Sequence, residues 1–234
     1  MTAQYDSFAE AYAAENESSL MNAHYERPAA LALAGDVAGQ RVLDAGCGSG
    51  PLFAALRERG AVVSGFDQSA GMVEQARRRL GDDADLRVAD LAEPLPYPDG
   101  EFDLVTASLV LHYLRDWAPT LGELKRVLKP GGRLIASVNH PLMVNLTHRQ
   151  EGPRPDYFAH YTWTDEFPLH GQTGRMTFWH KPLHAMTDAF TAAGFRLAVV
   201  HEPRPTAAAR ELFPDDFPIL DTFPSFLFFV LEAG

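Results

Sequence analysis

The sequence predicts an α/β protein built on a doubly wound parallel sheet. Three observations predict it. Apolar runs of strand length alternate with amphipathic runs of helix length. Several of the apolar runs end in an acid, at Asp44, Asp67 and Asp90, and the first feeds a glycine-rich turn into a helix. A chain of 234 residues with 46% hydrophobic content is long enough to bury one such core with additions.

The elements follow in order. Val42-Leu43-Asp44 is a strand that runs into Ala45-Gly46-Cys47-Gly48-Ser49-Gly50. Residues 51–59 read as a helix with proline in the first turn and Gly60 as its stop. Residues 61–67 form the second strand. Ser69 caps the next helix, which carries Met72, Val73, Ala76 and Leu80 on one face and ends at Gly81. Residues 86–91 form the third strand, a proline-rich surface segment covers 93–100, and residues 102–109 form the fourth strand. A crossover helix spans 116–128, Lys129-Pro130-Gly131-Gly132 turns the chain back, and 134–138 is the fifth strand. Residues 182–193 are a helix with Leu183, Met186 and Phe190 inward and Gly194 as its stop; strands at 195–201 and 226–231 complete the sheet. Between them, 206–224 carries Phe213, Phe217, Ile219, Leu220 and Phe223 back across the domain.

The glycine turn is where bare backbone meets a ligand. Such turns commonly hold phosphate, because helix N-terminal amides point at the anion. Here Asp44 at the strand tip would repel a diphosphate, and Pro51 stands where a dinucleotide fingerprint has its third glycine. An acid beside an amide-rich turn instead suits a ligand with both a cation and a carboxylate. S-adenosylmethionine carries an ammonium, a sulfonium and a carboxylate. Asp67, at the second strand tip, stands where doubly wound folds bind ribose hydroxyls.

With these motifs in place, residues 40–140 resemble the Rossmann-like S-adenosylmethionine-dependent methyltransferases, in particular the small-molecule branch that includes ubiquinone and menaquinone biosynthesis enzymes. The resemblance implies a seven-stranded, mostly parallel sheet whose last strand is antiparallel and inserts beside the fifth, with helices on both faces. It implies that Gly46, Gly48 and Gly50 lie under the methionine part of the cofactor, with Asp44 near its ammonium. Asp67 would take the ribose diol, Gln68 and Met72 would border the adenine, Asp90 and the Leu91 amide would meet its edge, and Ser108 would approach the methionine backbone. Cys47 packs within the turn. The implied reaction is methyl transfer to an oxygen, nitrogen or carbon of a small-molecule acceptor by in-line displacement. A non-methylating use of the sulfonium and a nonenzymatic metabolite-binding module are the alternative readings.

One domain of four parts is expected: N-terminal lid helices over 1–39, a cofactor-binding core over 40–140, a substrate-covering insertion over 141–179, and a last helix and two strands over 180–234. The insertion is aromatic and shows little clean periodicity, including Tyr157, Phe158, Tyr161, Trp163, Phe167, Phe178 and Trp179. In the lid, Tyr5, Phe8 and Tyr12 share a helical face, and Tyr12 and Tyr25 are the candidates to approach the cofactor. Met21, His112, Tyr113, Trp163 and Trp179 are the candidates for acceptor contact. Since an oxygen or nitrogen nucleophile must lose a proton, a base helps. His140 at the fifth strand tip and His180 at the end of the insertion are the candidates for that role, by position; His148, His160, His170, His184 and His201 have no comparable placement.

Composition sets the remaining bounds. A net charge of -11 argues against a nucleic-acid surface, and Arg77-Arg78-Arg79 reads as a solvated helix end. The fourth strand ends in Ser108-Leu109-Val110-Leu111-His112-Tyr113, unlike the Pro-Pro-aromatic signature of amino-group methylation of bases, and no metal-ligand spacing appears. A single cysteine, no basic-then-apolar leader and no bilayer-length apolar run point to a soluble, cytoplasmic protein with no membrane partner. Oligomeric state is not legible.

Overall fold

The computed structural model describes residues 5–151, 155–169 and 172–234. His170 falls outside the described residues. Nine strands are found among them: β1 (Arg41–Ala45), β2 (Val62–Asp67), β3 (Asp85–Val88), β4 (Phe102–Ala107), β5 (Leu128–Asn139), β6 (Tyr161–Leu169), β7 (Gln172–His180), β8 (Phe195–His201) and β9 (Phe226–Ala233). Seven form one sheet in the order β3-β2-β1-β4-β5-β9-β8. The first five are mutually parallel, and β9 runs antiparallel to both β5 and β8. This is the doubly wound sheet expected, with its last strand inserted beside the fifth.

Each central strand alternates its side chains between two apolar layers. On one face, Leu43 and Ala45 of β1, Leu134, Ala136 and Val138 of β5, and Leu227, Phe229 and Leu231 of β9 pack with α5 (Ala118–Val127) and α7 (Leu183–Ala192). On the other, Val42, Leu104, Ile135, Phe228 and Val230 pack with α2 (Arg27–Ala34), α3 (Pro51–Glu58) and α4 (Ala70–Leu80). Strands buried on both faces read as continuous apolar runs, as Phe-Leu-Phe-Phe-Val-Leu in β9 does. Each fully buried large side chain contributes about 1.5–3 kcal/mol.

Local signals set the helix ends. Ser69 accepts from Met72 N at 3.1 Å as the N-cap of α4, and Gly81 ends that helix at φ +88°. Arg79 departs from the solvated face expected of it. Its Nε donates to Ser49 O at 2.9 Å in the glycine turn and it pairs with Glu17 of α1 (Ala9–Ser18), so the end of α4 clasps both neighbours. The fifth strand begins six residues earlier than the sequence indicated. The four residues 129–132 form an irregularity within β5, where Phe102 pairs with Leu128 but Leu104 with Arg133.

The insertion after β5 contains regular structure: α6 (Pro141–Glu151) and the antiparallel hairpin β6-β7. Its alternation was present in Tyr161, Trp163, Asp165, Phe167 and Leu169 but was obscured by the polar and aromatic mixture. Phe8 of the N-terminal segment packs with Leu169, Met176 and Phe178 of the hairpin, with Tyr5, Tyr12 and Tyr113 alongside. The N-terminal segment also contains a π-helical turn, Asn22–Glu26, a wide turn often found at functional sites. Tyr25, fully buried within it, takes a hydrogen bond from Ser225 N at 3.1 Å and stands against Phe226 at 5.1 Å between ring centroids. No helix among the described residues is long and apolar enough to cross a membrane.

Tyr25→Phe is expected to leave the Ser225 amide unpaired and to lower stability by about 1–3 kcal/mol. Urea unfolding of the two proteins checks this through an earlier midpoint at unchanged slope.

Candidate active site

A cavity of about 550 Å³ opens over the carboxyl ends of β1, β2, β4 and β5, where open α/β sheets bind ligands. Its floor is the β1 turn. Gly46 has φ +77°, and a Cβ there would stand 2.6 Å from Val110 Cγ2, so only glycine fits between β1 and the β4 tip. Gly48 has open space where a Cβ would be, and its amide donates to Asp67 Oδ2 at 3.0 Å. Asp67 Oδ1 accepts from Ser69 N at 2.9 Å, so one carboxylate joins the turns after β1 and β2. Burial raises the Asp67 pKa, and the backbone amides partly offset that.

Asp44 is buried at the tip of β1, opposite Thr106 of β4. Thr106 Oγ1 donates to its Oδ1 at 2.9 Å, while its Oδ2 is buried with no hydrogen-bond partner among the described residues. Desolvation pushes this carboxyl up to about 7, against the opposing Thr106 hydrogen bond.

The wall includes most of the expected residues. Tyr12, Gly46, Cys47, Asp67, Gln68 and Met72 line it, as do Asp90, Leu91 and Ser108. Met21, His112, Tyr113 and Trp163, expected at the acceptor, also line it. Trp163 stacks on Phe178 at 4.5 Å, and Tyr113 lies 5.1 Å from the same ring. His112 Nδ1 accepts from Asn139 N at 3.3 Å, and burial pushes its pKa down to about 3, so the ring is neutral.

Five expected residues stand behind the wall. Gly50 is the left-handed residue before α3, packed against Leu80 and Ala76, and Tyr25 is spent on Ser225. Trp179 lies under the Arg115 guanidinium at 5.6 Å. His140 turns away from the cavity to Glu202, with Nε2 to Oε1 at 2.8 Å, because side chains alternate at a strand end and its neighbour Asn139 takes the cavity side. His180 Nε2 donates to Tyr157 O at 2.9 Å and its ring stacks on Tyr161 at 4.5 Å. Neither the strand-tip position of His140 nor the position of His180 at the end of the insertion brings the side chain into the cavity.

Other wall residues carried no recognised sequence signal. Glu26, from the π-helical turn, takes hydrogen bonds on Oε1 from Ser108 Oγ and from Ser137 Oγ, the latter at 2.7 Å. Arg27 also lines the cavity, with its guanidinium donating to Asn16 O at 2.7 Å and Asn16 Oδ1 at 2.9 Å. Met176 comes from β7, as does Phe178, which was already among the aromatic residues expected in the insertion. Among the described residues the wall sets the carboxylates of Glu15, Glu26, Asp44, Asp67, Asp90 and Asp165 against one guanidinium, that of Arg27. Such a surface favours a ligand that brings positive charge together with a single anionic group.

A methyltransferase-domain family model matches residues 43–136. A demethylmenaquinone methyltransferase of Clavibacter sepedonicus is 42% identical over 137 residues, covering 58% of this chain and 56% of that protein. The chain thus spans about half the length of the curated relatives it matches. An S-adenosylmethionine-dependent methyltransferase of Mesorhizobium loti superposes with a TM-score of 0.68 at 27% identity, covering 88% of this chain and 96% of that one. A Burkholderia thailandensis N1-methyltransferase, solved with 1,6-didemethyltoxoflavin and S-adenosylhomocysteine, shares the fold at TM-score 0.58 and 18% identity, over 99% of this chain and 91% of that one.

Asp44 carries a charge that folding desolvates, so its folded pKa exceeds its unfolded one. The penalty is absent below pH about 4 and grows as pH rises towards 7. Asp44→Asn is therefore expected to raise the melting temperature at pH 8 by at least about 2–4 °C, with the gain shrinking towards pH 4. Thermal scans of both proteins across that range check it.

Proposed function

The chain belongs to the Rossmann-like S-adenosylmethionine-dependent methyltransferases, and from that premise we propose that it methylates a small aromatic acceptor of the hydroquinone or phenol class. The observation that carries the reading is the bare Asp44 oxygen buried beside an open glycine turn, under an aromatic roof.

The residues fit the cofactor. Asp44 lacks a partner for one oxygen, which an ammonium supplies, and Arg27 offers the cavity's guanidinium to a carboxylate. Asp67 keeps lone pairs beyond those given to Gly48 and Ser69, enough to accept from a ribose diol. Gln68, Met72, Asp90 and Leu91 form the wall where adenine would rest, with Gly46, Cys47 and Gly48 beneath the methionine portion. Tyr12 closes this part of the cavity from α1. Gly50 and Tyr25 act from behind, by shaping the turn and anchoring the lid.

When bound, S-adenosylmethionine supplies an electrophilic methyl group on a sulfonium. The task left to the chain is to hold an acceptor in line and to exclude water. Met21, Tyr113, Trp163, Met176 and Phe178 offer an apolar and aromatic surface on the roof side, suited to a flat ring. The neutral His112 ring can hydrogen-bond an acceptor hydroxyl without adding charge. The demethylmenaquinone methyltransferase relatives favour a quinol-type acceptor on the same grounds.

Calorimetry with S-adenosylmethionine and S-adenosylhomocysteine tests the premise, and tritiated methyl transfer to hydroquinones, phenols and amines tests the acceptor class. Both cofactor forms are expected to bind, with affinity for the donor falling up to about tenfold per pH unit below pH 7 as Asp44 becomes protonated. Asp44→Asn should cost at least tenfold in affinity at pH 8. A wild-type protein that ignores both ligands overturns the reading.

A further inference from the structure

Glu26 is a buried carboxylate that the cofactor assignment leaves unused. It comes from the π-helical turn of the N-terminal segment and reaches the tips of β4 and β5, at Ser108 and Ser137. The polarity of this contact is set by the backbone. Ser137 Oγ accepts from Leu109 N at 2.9 Å, so its hydroxyl hydrogen is left to donate to Glu26 Oε1. Leu109 itself holds φ +49°, a strained conformation for a branched side chain, at the point where β4 delivers this amide.

Two hydroxyls therefore converge on Oε1, and no hydrogen bond engages Oε2 among the described residues. Oε2 is also absent from the fully buried unpaired atoms, so it opens onto the cavity that Glu26 lines. The charged and titratable groups around it are Tyr12 from α1, Arg27 next along the chain and Asp44 at the tip of β1. Burial raises the Glu26 carboxyl pKa, and the Ser108 and Ser137 hydroxyls oppose the rise.

We propose that Glu26 is the catalytic base, with Oε2 taking the proton of the acceptor as the methyl group is transferred. The inference rests on the methyltransferase reading. In the step, the acceptor's X–H bond breaks and its electrons stay on X; X forms the bond to methyl carbon, and the C–S electrons pass to sulfur. The proton ends on Oε2. A positive sulfonium and a negative carboxylate both become neutral, and a dry cavity favours that loss of charge. The carboxylic acid then returns its proton to solvent when the site opens.

A sulfonium close to Glu26 favours the ionised carboxylate, whereas the thioether product does not. Calorimetry in buffers of different ionisation enthalpy should therefore show that the wild type releases more protons on binding S-adenosylmethionine than on binding S-adenosylhomocysteine at pH 6. In Glu26→Gln the difference should vanish, with affinity for the thioether within threefold of wild type. With an acceptor from the phenol and hydroquinone panel, kcat should fall by about 10²-fold or more. The KM for the donor should hold within threefold, and at saturating donor the acidic limb of the kcat/KM profile for the acceptor should disappear.

Persistence of the proton difference in Glu26→Gln overturns the assignment. So does a tenfold or greater loss of affinity for both ligands, which makes Glu26 an ammonium ligand. A wild type that binds neither ligand removes the premise and the inference together. Should Glu26→Gln not fold, the Ser108→Ala, Ser137→Ala double variant keeps the carboxylate but strips both donors. It should move the acidic limb to higher pH, and an unmoved limb also overturns the proposal.

Discussion

A carboxylate buried at the centre of the sheet, with one oxygen bonded and the other bare, is the constraint to which the site answers. Asp44 sits between β2 and β4 in register with Gly65 and Thr106, and among the described residues its Oδ2 has no hydrogen-bond partner. Burying an unpaired charge is costly, and a group so placed either holds a proton or awaits a positive ligand. The surrounding parts fit the second condition. Glycine keeps the floor open, Asp67 braces the two adjoining turns, and an aromatic hairpin covers the top.

What was legible in the chain was largely local. The glycine turn, the acids at strand ends and the stops at Gly60, Gly81 and Gly194 lie within a few residues of the structure they determine, and the βα core could be followed from them. The hairpin β6-β7 was harder, although its alternation is plain once both strands are paired. Threonines, two acids and a proline share that segment with tryptophan and phenylalanine, so hydropathy alone does not separate its two faces.

The candidate site divides along the same line. Asp44, Asp67, Asp90 and Ser108 could be picked out because each ends a strand or follows one closely. Glu26 could not, since its partners are 82 and 111 residues away and its own turn is π-helical. The histidines show the converse. Being near a strand end gave His140 its appeal, yet a one-residue alternation put Asn139 on the cavity side and sent His140 to Glu202. Position along a strand is readable from spacing; the face presented there is set by tertiary packing.

The fastening of Tyr25 to Ser225 spans 200 residues of chain. One wall of the cavity therefore closes only against the segment that leads into β9, and β9 in turn fills the gap between β5 and β8. During synthesis on the ribosome, the parallel core can condense while the N-terminal segment still lacks its anchor. The wall that Tyr25 anchors is therefore completed only once the segment before β9 is in place.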